Sequence, residues 1–229
     1  MNIAGLQKMT LLDYPGRIAC TVFLPGCNLR CPFCHNASLV LPEREKDSIS
    51  ENELFEFLSS RRKKLDGVCV TGGEPTLYID LPDLLGRIKD MGFQVKLDTN
   101  GTSPKMLGQI IDAGLCDYVA MDIKNSPSKY TATCGGIDVL EKVRESAAIL
   151  MEGKIDYEFR TTVMHPYHAP EDLRQIGRWL KGAKRYFIQN FVDSGDLLSS
   201  GSEALTENEM KELLMAVQEY IPSAKLRGL

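Results

Sequence analysis

An alternation of strand-like and helix-like segments is the feature that most constrains the fold of this chain. Six apolar, β-branched segments bounded by turn residues predict strands, over residues 17–24, 67–71, 94–97, 117–123, 155–163 and 185–191. Segments with helical spacing lie between and after them, over residues 51–64, 81–91, 104–113, 139–151, 170–180 and 207–220. Such alternation is typical of a parallel sheet with right-handed crossovers. Between an open sheet and an incomplete barrel, we predict an α/β fold that is a partial (β/α)6 barrel with parallel strands.

Length and composition predict a single domain that covers residues 1–229. The chain is 43% apolar and 25% charged, as expected of a folded domain, and no Pro/Gly/Ser-rich linker divides it. Its apolar runs are far shorter than the roughly 18 residues needed to cross a bilayer. The first residues lack a secretory signal, so we expect a cytoplasmic protein with no membrane partner. A formal charge of −4 argues against nucleic acid as a partner.

Local signals mark two helix starts and one helix end. Ser50 with Glu53, and Thr206 with Glu209, have the spacing of a capping box. The basic run RRKK at 61–64 is interpreted as a solvated helix end that complements the helix dipole, rather than as a contact to nucleic acid.

Seven cysteines in a chain expected in the cytoplasm indicate metal binding or catalysis rather than disulfides. Cys27, Cys31 and Cys34 have the spacing C-x3-C-x2-C within GCNLRCPFCHN. Three thiolates suit a cubane iron–sulfur cluster with one open iron, whereas a closed zinc site needs a fourth ligand. His35 is the candidate for that ligand in the zinc alternative. The other cysteines are expected to pack as small apolar side chains and to bind no metal; they are Cys20, Cys69, Cys116 and Cys134.

Polar residues follow every predicted strand. In parallel α/β folds the carboxyl ends of the strands meet at one edge, where ligands bind. After the cysteine loop, that edge is expected to carry TGGEP at 71–75, DTNG at 98–101, Asp122, Lys124, Arg160, Gln189 and Asn190. Each of these groups alone is common in turns or as a solvated charge. Together, on one edge, they predict one site.

The cysteine motif and the TGGEP segment resemble the radical S-adenosylmethionine (SAM) superfamily. The motif of that superfamily is CxxxCxΦC, in which Φ is aromatic and is Phe33 here. The segment LLDYPGRIACTVFLPGCNLRCPFCHN, with LDTNG and MDIK downstream, looks like the activating enzymes of glycyl radical enzymes. The resemblance is strongest to the longer form of the activating proteins of anaerobic ribonucleoside-triphosphate reductase, from about Leu6 to Phe191.

The resemblance implies a radical SAM oxidoreductase with one 4Fe–4S cluster on its three motif cysteines. Such an enzyme cleaves SAM reductively to methionine and a deoxyadenosyl radical, which removes a Cα hydrogen from a glycine of a partner enzyme. The implied partners are anaerobic ribonucleotide reductase and a low-potential electron donor such as flavodoxin or ferredoxin. The implied cofactor-binding residues are Phe33 near the adenine, Gly72, Gly73 and Glu74 at the methionine amino group, and Asn100, Lys124 and Arg160. The implied ligands of a monovalent cation beside the methionine carboxylate are Asp98, Thr99 and Asp122.

One departure concerns the end of the sixth predicted strand. Formate-lyase activating enzymes place a cofactor-binding His there, whereas this chain has QNFV at 189–192. The departure favours the reductase-activating branch. His165 and His168 are expected to be surface turn residues. Two alternatives remain, a radical SAM enzyme that acts on a small molecule, peptide or nucleoside, and a zinc-binding interaction domain.

Overall fold

The structure, a computed structural model, describes residues 1–34, 36–41 and 48–228. Its strands are β1 (Gly5–Thr10), β2 (Ala19–Leu24), β3 (Gly67–Gly72), β4 (Gln94–Thr99), β5 (Tyr118–Asp122), β6 (Asp156–Val163), β7 (Tyr186–Asn190) and β8 (Lys225–Arg227). Its helices are α1 (Ala37–Val40), α2 (Glu51–Arg61), α3 (Leu81–Asp90), α4 (Pro104–Asp112), α5 (Tyr130–Thr133), α6 (Leu140–Met151), α7 (Pro170–Trp179) and α8 (Glu207–Gln218).

One sheet contains all eight of these strands, in chain order. Strands β2 to β8 are parallel to their neighbours, and only β1 runs antiparallel, against β2. Sequential parallel strands joined by helices are the architecture of an incomplete barrel. The predicted fold class, an α/β partial barrel with parallel strands, is therefore confirmed.

The core lies on both faces of the central strands. Strands β2 and β5 are buried along almost their whole length, as expected when helices cover one face of a parallel sheet and the barrel interior covers the other. Helix α3 buries Leu81, Leu84, Leu85 and Ile88 against the sheet, which is the i, i+3, i+4, i+7 pattern of one helix face. Packing of this kind fixes the strand ends and the loops that follow them.

The six predicted strands and six predicted helices are all present, with ends that differ by a few residues. Two edge strands, β1 and β8, were not predicted, because β1 alternates weakly and β8 has only three residues. Capping boxes form at Ser50 and Thr206 as expected. Helix α2 ends at Arg61, and residues 62–64 are exposed, which agrees with a solvated helix end. No helix within the described ranges is long and apolar enough to cross a membrane.

Candidate cofactor site at the carboxyl ends of the strands

The loop after β2 brings the three motif cysteines to one cavity. Cys27, Cys31 and Cys34 all line it, at the carboxyl ends of the strands. The loop is held by its own backbone, since Cys34 N donates to Cys31 O at 3.0 Å and Leu29 N donates to Cys27 Sγ at 3.4 Å. The fold therefore brings the three motif cysteines to one cavity, as the sequence predicted.

The segment after β7 fastens this cysteine loop from the other side of the cavity. Ser199 N donates to Pro32 O at 3.0 Å, and Leu198 N donates to Cys34 O at 3.3 Å. Asp196 accepts from the first amide groups of α1, with Ser38 N at 2.9 Å from Asp196 Oδ2. Residues 196–199 are thus part of the support of the site.

Three thiols at one cavity are the ligand set of a cubane cluster with one open iron. Within residues 1–34, 36–41 and 48–228, no three His, Cys, Asp or Glu side chains are close enough to hold one metal ion. Around one zinc ion, with bonds of about 2.3 Å, two sulfurs can be no more than about 4.6 Å apart. A cubane binds each thiolate at a different iron and so accepts a wider spacing. His35, the fourth ligand of the zinc alternative, lies outside the described residues.

Cys134 has an unexpected position. It is fully buried just after α5, and its carbonyl accepts from Arg30 N at 3.4 Å. Its thiol is hydrogen-bonded to that of Cys31, which lowers the pKa of Cys31 and raises the pKa of Cys134. Cys134 does not line the cavity. It therefore stands behind a motif cysteine as a hydrogen-bond partner.

Two of the remaining cysteines, Cys20 on β2 and Cys116 just before β5, are buried in the apolar core as predicted. Burial raises the pKa of Cys20 and of Cys116 to about 12, so both thiols are protonated at neutral pH. Cys69 is buried within β3 but is not in a purely apolar environment, because its thiol is hydrogen-bonded to Asp98 and to Lys96.

The two glycines after β3 let the backbone pass close to the cysteine loop. Gly72 and Gly73 line the cavity. A Cβ on Gly73 would lie 1.9 Å from Gly26 O, and Gly72 has φ +119° with a Cβ position 2.3 Å from Leu24 O. Gly73 N donates to Leu24 O at 2.8 Å. Only glycine fits at these two positions, and the exposed backbone forms one wall of the cavity.

Glu74, which the resemblance placed at the methionine amino group, does not line the cavity. It is fully buried, and its carboxylate accepts from Thr99 Oγ1 at 2.7 Å, Asn100 N at 2.6 Å and Thr76 N at 3.1 Å. Burial raises the pKa of Glu74, and these hydrogen bonds oppose that rise. In the structure Glu74 joins the loop after β3 to the loop after β4.

A network of charged side chains forms the floor of the cavity. Arg160, on β6, lies between two carboxylates, with Nε 2.9 Å from Asp122 Oδ1 and Nη1 3.1 Å from Asp98 Oδ2. Lys124 Nζ donates to Asp122 Oδ2 at 3.0 Å. Burial alone would raise the pKa of Asp122, but Arg160 and Lys124 outweigh it and hold that pKa well below its usual value. Lys96, which the sequence did not suggest, is buried and bonded to Asp98.

Aromatic and amide side chains complete the cavity. Phe33 lines it, with its ring centroid 5.6 Å from that of Tyr167. Asn100 also lines it, and Asn100 Nδ2 donates to Asn28 Oδ1 at 3.1 Å and lies 3.8 Å from Cys27 Sγ. Thr99 lines the cavity too, although its hydroxyl is bonded to Glu74. The structure thus brings most of the predicted site residues to this cavity. The residues predicted at this edge that do not line it are Glu74, Pro75, Gly101, Gln189 and Asn190.

The two histidines of the HPYHAP turn differ from each other. His165 is exposed, as predicted. The prediction for His168 was wrong, because His168 is only 5% exposed and its Nε2 lies 3.0 Å from Lys124 O. This contact holds the backbone of Lys124 in place. Burial lowers the pKa of His168, so the ring is neutral near pH 7.

The sequence profile described as "Radical SAM superfamily" matches residues 21–180. The chain therefore belongs to the radical SAM superfamily. Membership implies SAM and a 4Fe–4S cluster as cofactors. The cavity fits them, since it offers three thiols on one side, a glycine backbone wall and cationic groups that suit a carboxylate.

Among its relatives, the chain is 32% identical over 99% of its length, and 96% of the other chain, to a Methanocaldococcus jannaschii protein named "Putative glycyl-radical enzyme activating enzyme". It is 32% identical to the pyruvate formate-lyase-activating enzyme of Clostridium pasteurianum over 54% of this chain and 52% of the other. Among solved structures, Streptococcus suis SuiB bound to the precursor peptide SuiA has a TM-score of 0.69 at 16% identity, covering 91% of this chain and 48% of that one. This structural likeness supports the fold alone.

Proposed function

We propose that this protein is an activating enzyme that installs a glycyl radical on a partner enzyme. The observation that carries the proposal is the match over 99% of this chain and 96% of a relative named for that activity. Because the match runs through nearly all of both chains, it includes the carboxyl-end loops as well as the cysteine motif. An enzyme of this kind works in the cytoplasm, as the sequence led us to expect.

In this proposal, different parts of the cavity bind the cluster, the methionine part of SAM and the adenine. Cys27, Cys31 and Cys34 hold the 4Fe–4S cluster, which when bound supplies the electron that cleaves the sulfonium of SAM. The backbone of Gly72 and Gly73 forms the wall along which the methionine part of SAM lies. Phe33, half surrounded by other aromatic rings, offers an apolar surface for the adenine.

The cationic floor of the cavity suits the carboxylate of the methionine part. Lys124 and Arg160 both line the cavity, and each already has a carboxylate partner within the protein. Their positions are therefore set before a ligand arrives, which lowers the entropic cost of orienting it. The deoxyadenosyl radical takes one hydrogen atom from a glycine Cα, giving deoxyadenosine and a glycyl radical.

Anaerobic ribonucleoside-triphosphate reductase is the proposed partner, and flavodoxin or ferredoxin the proposed electron donor. Asn190, at the end of β7, supports this choice over a formate lyase. Its side chain bonds to Leu205 on both sides, with Nδ2 2.7 Å from Leu205 O and Oδ1 2.9 Å from Leu205 N. Because both polar groups of its side chain are hydrogen-bonded to the loop before α8, Asn190 does not replace a cofactor-binding His.

The test mixes the anaerobically reconstituted protein with SAM, a low-potential reductant and the cognate reductase produced with Cα-deuterated glycine. We expect a glycyl signal in electron paramagnetic resonance and deuterium in the released deoxyadenosine. The Cys31→Ala variant should give neither, whereas Cys116→Ala, which alters a buried thiol just before β5 and away from the cavity, should give both.

Two results would contradict the proposal. Deuterium transferred from a labelled small metabolite, with no protein radical, would support a radical SAM enzyme of small molecules, peptides or nucleosides. A colourless protein that takes up zinc and no iron would support the interaction domain instead.

A further inference from the structure

We propose that Lys96 and Arg160 act as built-in cations beside the SAM site, so that SAM binds without any requirement for a monovalent metal ion. The inference rests on the proposed function only in that SAM is taken as the ligand. It concerns Asp98, Thr99 and Asp122, which the resemblance implied as ligands of such an ion.

Both carboxyl oxygens of Asp98 are already hydrogen-bonded within the protein. Oδ1 accepts from Lys96 Nζ and from Cys69 Sγ at 3.7 Å. Oδ2 accepts from Arg160 Nη1 at 3.1 Å and from Thr71 Oγ1 at 3.4 Å. A metal ion would have to displace one of these donors in order to bind Asp98.

The other two implied ligands are also hydrogen-bonded within the protein, with one donor on each Asp122 oxygen. Asp122 accepts from Arg160 at Oδ1 and from Lys124 at Oδ2. The Thr99 hydroxyl donates to Glu74 at 2.7 Å and accepts from Gly101 N at 3.1 Å. The donor set therefore does not fit a metal ion in this structure.

Lys96 is the residue that a metal ion would find hardest to displace from Asp98. Its side chain is 2% exposed, and it lies two residues before Asp98 on β4, so both side chains point to the same face of the sheet. A buried ammonium is stable only beside an opposite charge, and its nearest carboxylate is Asp98. Loss of this partner to a metal ion would leave Lys96 charged in a dry environment, which is costly.

The charge balance of the floor agrees with this assignment. Lys96, Arg160 and Lys124 contribute three positive charges, and Asp98 and Asp122 contribute two negative ones. One cation of the floor is therefore left over for the methionine carboxylate. A metal ion would bring a further positive charge next to Lys96 and Arg160, which repel it.

The test measures the dissociation constant of SAM on the reconstituted holoenzyme in potassium, sodium and tetramethylammonium chloride at equal ionic strength. The wild type should bind SAM equally, within about twofold, in all three salts. In Lys96→Met, which removes the charge but keeps an unbranched side chain, Asp98 becomes free to bind an ion. That variant should bind SAM at least tenfold more weakly in tetramethylammonium and recover in potassium.

Lys89→Met is the matched control, because Lys89 is ion-paired with Asp117 far from the cavity. It should bind SAM like the wild type in every salt. Thermal unfolding of the cluster-free wild type gives a second measurement, and its midpoint should not differ between potassium and tetramethylammonium.

Wild-type binding that weakens tenfold or more in tetramethylammonium would overturn the inference, even if Lys96→Met does not fold. Such a result would leave the proposed function intact. An absence of SAM binding in all three salts would instead contradict the cofactor site and with it the proposed function.

Discussion

At the scale of single residues, Cys31 and Cys134 show how two cysteines in contact can have different roles. Cys31 faces the cavity, and Cys134 is fully buried behind it. The hydrogen bond between them favours the thiolate of Cys31 and the thiol of Cys134. A thiolate is the form that binds iron. In the proposed function Cys31 is therefore a cluster ligand, and Cys134 donates a hydrogen bond to it.

The first prediction follows from this separation. Cys31→Ala should lose the cluster, because only two thiolates then remain at the cavity. Cys134→Ala should retain iron close to the wild-type content, since its thiol does not line the cavity. Iron per protein and the visible absorption of the reconstituted variants check this. If Cys134→Ala lost as much iron as Cys31→Ala, Cys134 would be a fourth ligand.

The second prediction concerns Gly73. Gly73→Ala should abolish SAM binding and lower stability, because its Cβ would lie 1.9 Å from a backbone oxygen that cannot move freely. Gly86→Ala is the control, since Gly86 lies within α3 and a Cβ there would make an ordinary 3.7 Å contact with the Leu115 side chain. Replacing a mid-helix glycine should stabilise the protein by up to about 1 kcal/mol. SAM titration and thermal unfolding of both variants test this, and a fully active Gly73→Ala would show that the wall is adaptable.

At the scale of elements, β8 depends on one ion pair. Only three residues long, it pairs with β7 at the edge of the sheet. Arg227 on β8 donates to both carboxyl oxygens of Glu158, at 2.6 and 2.8 Å. Glu158 is fully buried on β6, so this contact spans β7 and ties the edge strand to the interior. A bidentate pair of this kind compensates for the small area of the strand.

The third prediction tests this pair. Arg227→Met should lower the free energy of unfolding by about 2–3 kcal/mol, because it leaves the buried Glu158 carboxylate without its cation. Arg144→Met removes an exposed pair with Glu141 on α6 and should cost less than about 1 kcal/mol. Urea unfolding of both variants makes the comparison. Equal small losses would mean that β8 is held by packing alone.

The fourth prediction gives the pH dependence of the same pair. Burial would raise the pKa of Glu158, but Arg227 outweighs it and lowers that pKa below the ordinary 4.5. The unfolded chain then binds a proton more readily than the folded one, so the stabilisation is present above about pH 4.5 and is lost on acidification. Below that pH, the free energy of unfolding of Arg227→Met should fall less steeply with decreasing pH than that of the wild type, as measured by acid unfolding. A steeper fall in the variant would contradict the direction of the Glu158 pKa shift.

At the scale of the whole molecule, the sheet is open. Strands β1 and β8 are its two edges, and they do not pair with each other within the described part of the chain. The cavity lies at the carboxyl ends of the strands between them, where the segment after β7 reaches the cysteine loop. An incomplete barrel of this kind encloses a small ligand less fully than a closed one, and it leaves room for a loop of a larger partner.

The fifth prediction belongs to this scale. The isolated holoenzyme should cleave SAM slowly under reducing conditions, because no glycine is present to take up the radical and the site is poorly sequestered from water. Addition of the partner reductase should increase the rate of deoxyadenosine release. The rate is measured by chromatography at fixed reductant. Fast cleavage that the partner does not change would indicate a substrate other than a protein loop.

Local patterns in the sequence were enough to predict the class of fold and the gathering of three cysteines at one cavity. Alternating strand and helix segments lie near each other in the chain, so their periodicity predicts a parallel α/β sheet. Cys27, Cys31 and Cys34 lie within eight residues, and one loop can gather them whatever the rest of the chain does. The convergence of DTNG, Asp122 and Arg160 also followed from sequence, because parallel strands end on the same edge.

Other features depended on contacts between distant segments, which no local pattern records. Cys134 reaches Cys31 only because the turn after α5 packs beneath the cysteine loop. His168, in an exposed-looking turn, is buried by its contact with Lys124. Lys96, which the sequence did not single out, is buried when the neighbouring strands pack around β4 and is paired there with Asp98. The residue types and their spacing thus determined which groups reach the site, while the tertiary structure decided their charge partners, because burial and pairing arise only when separate strands meet.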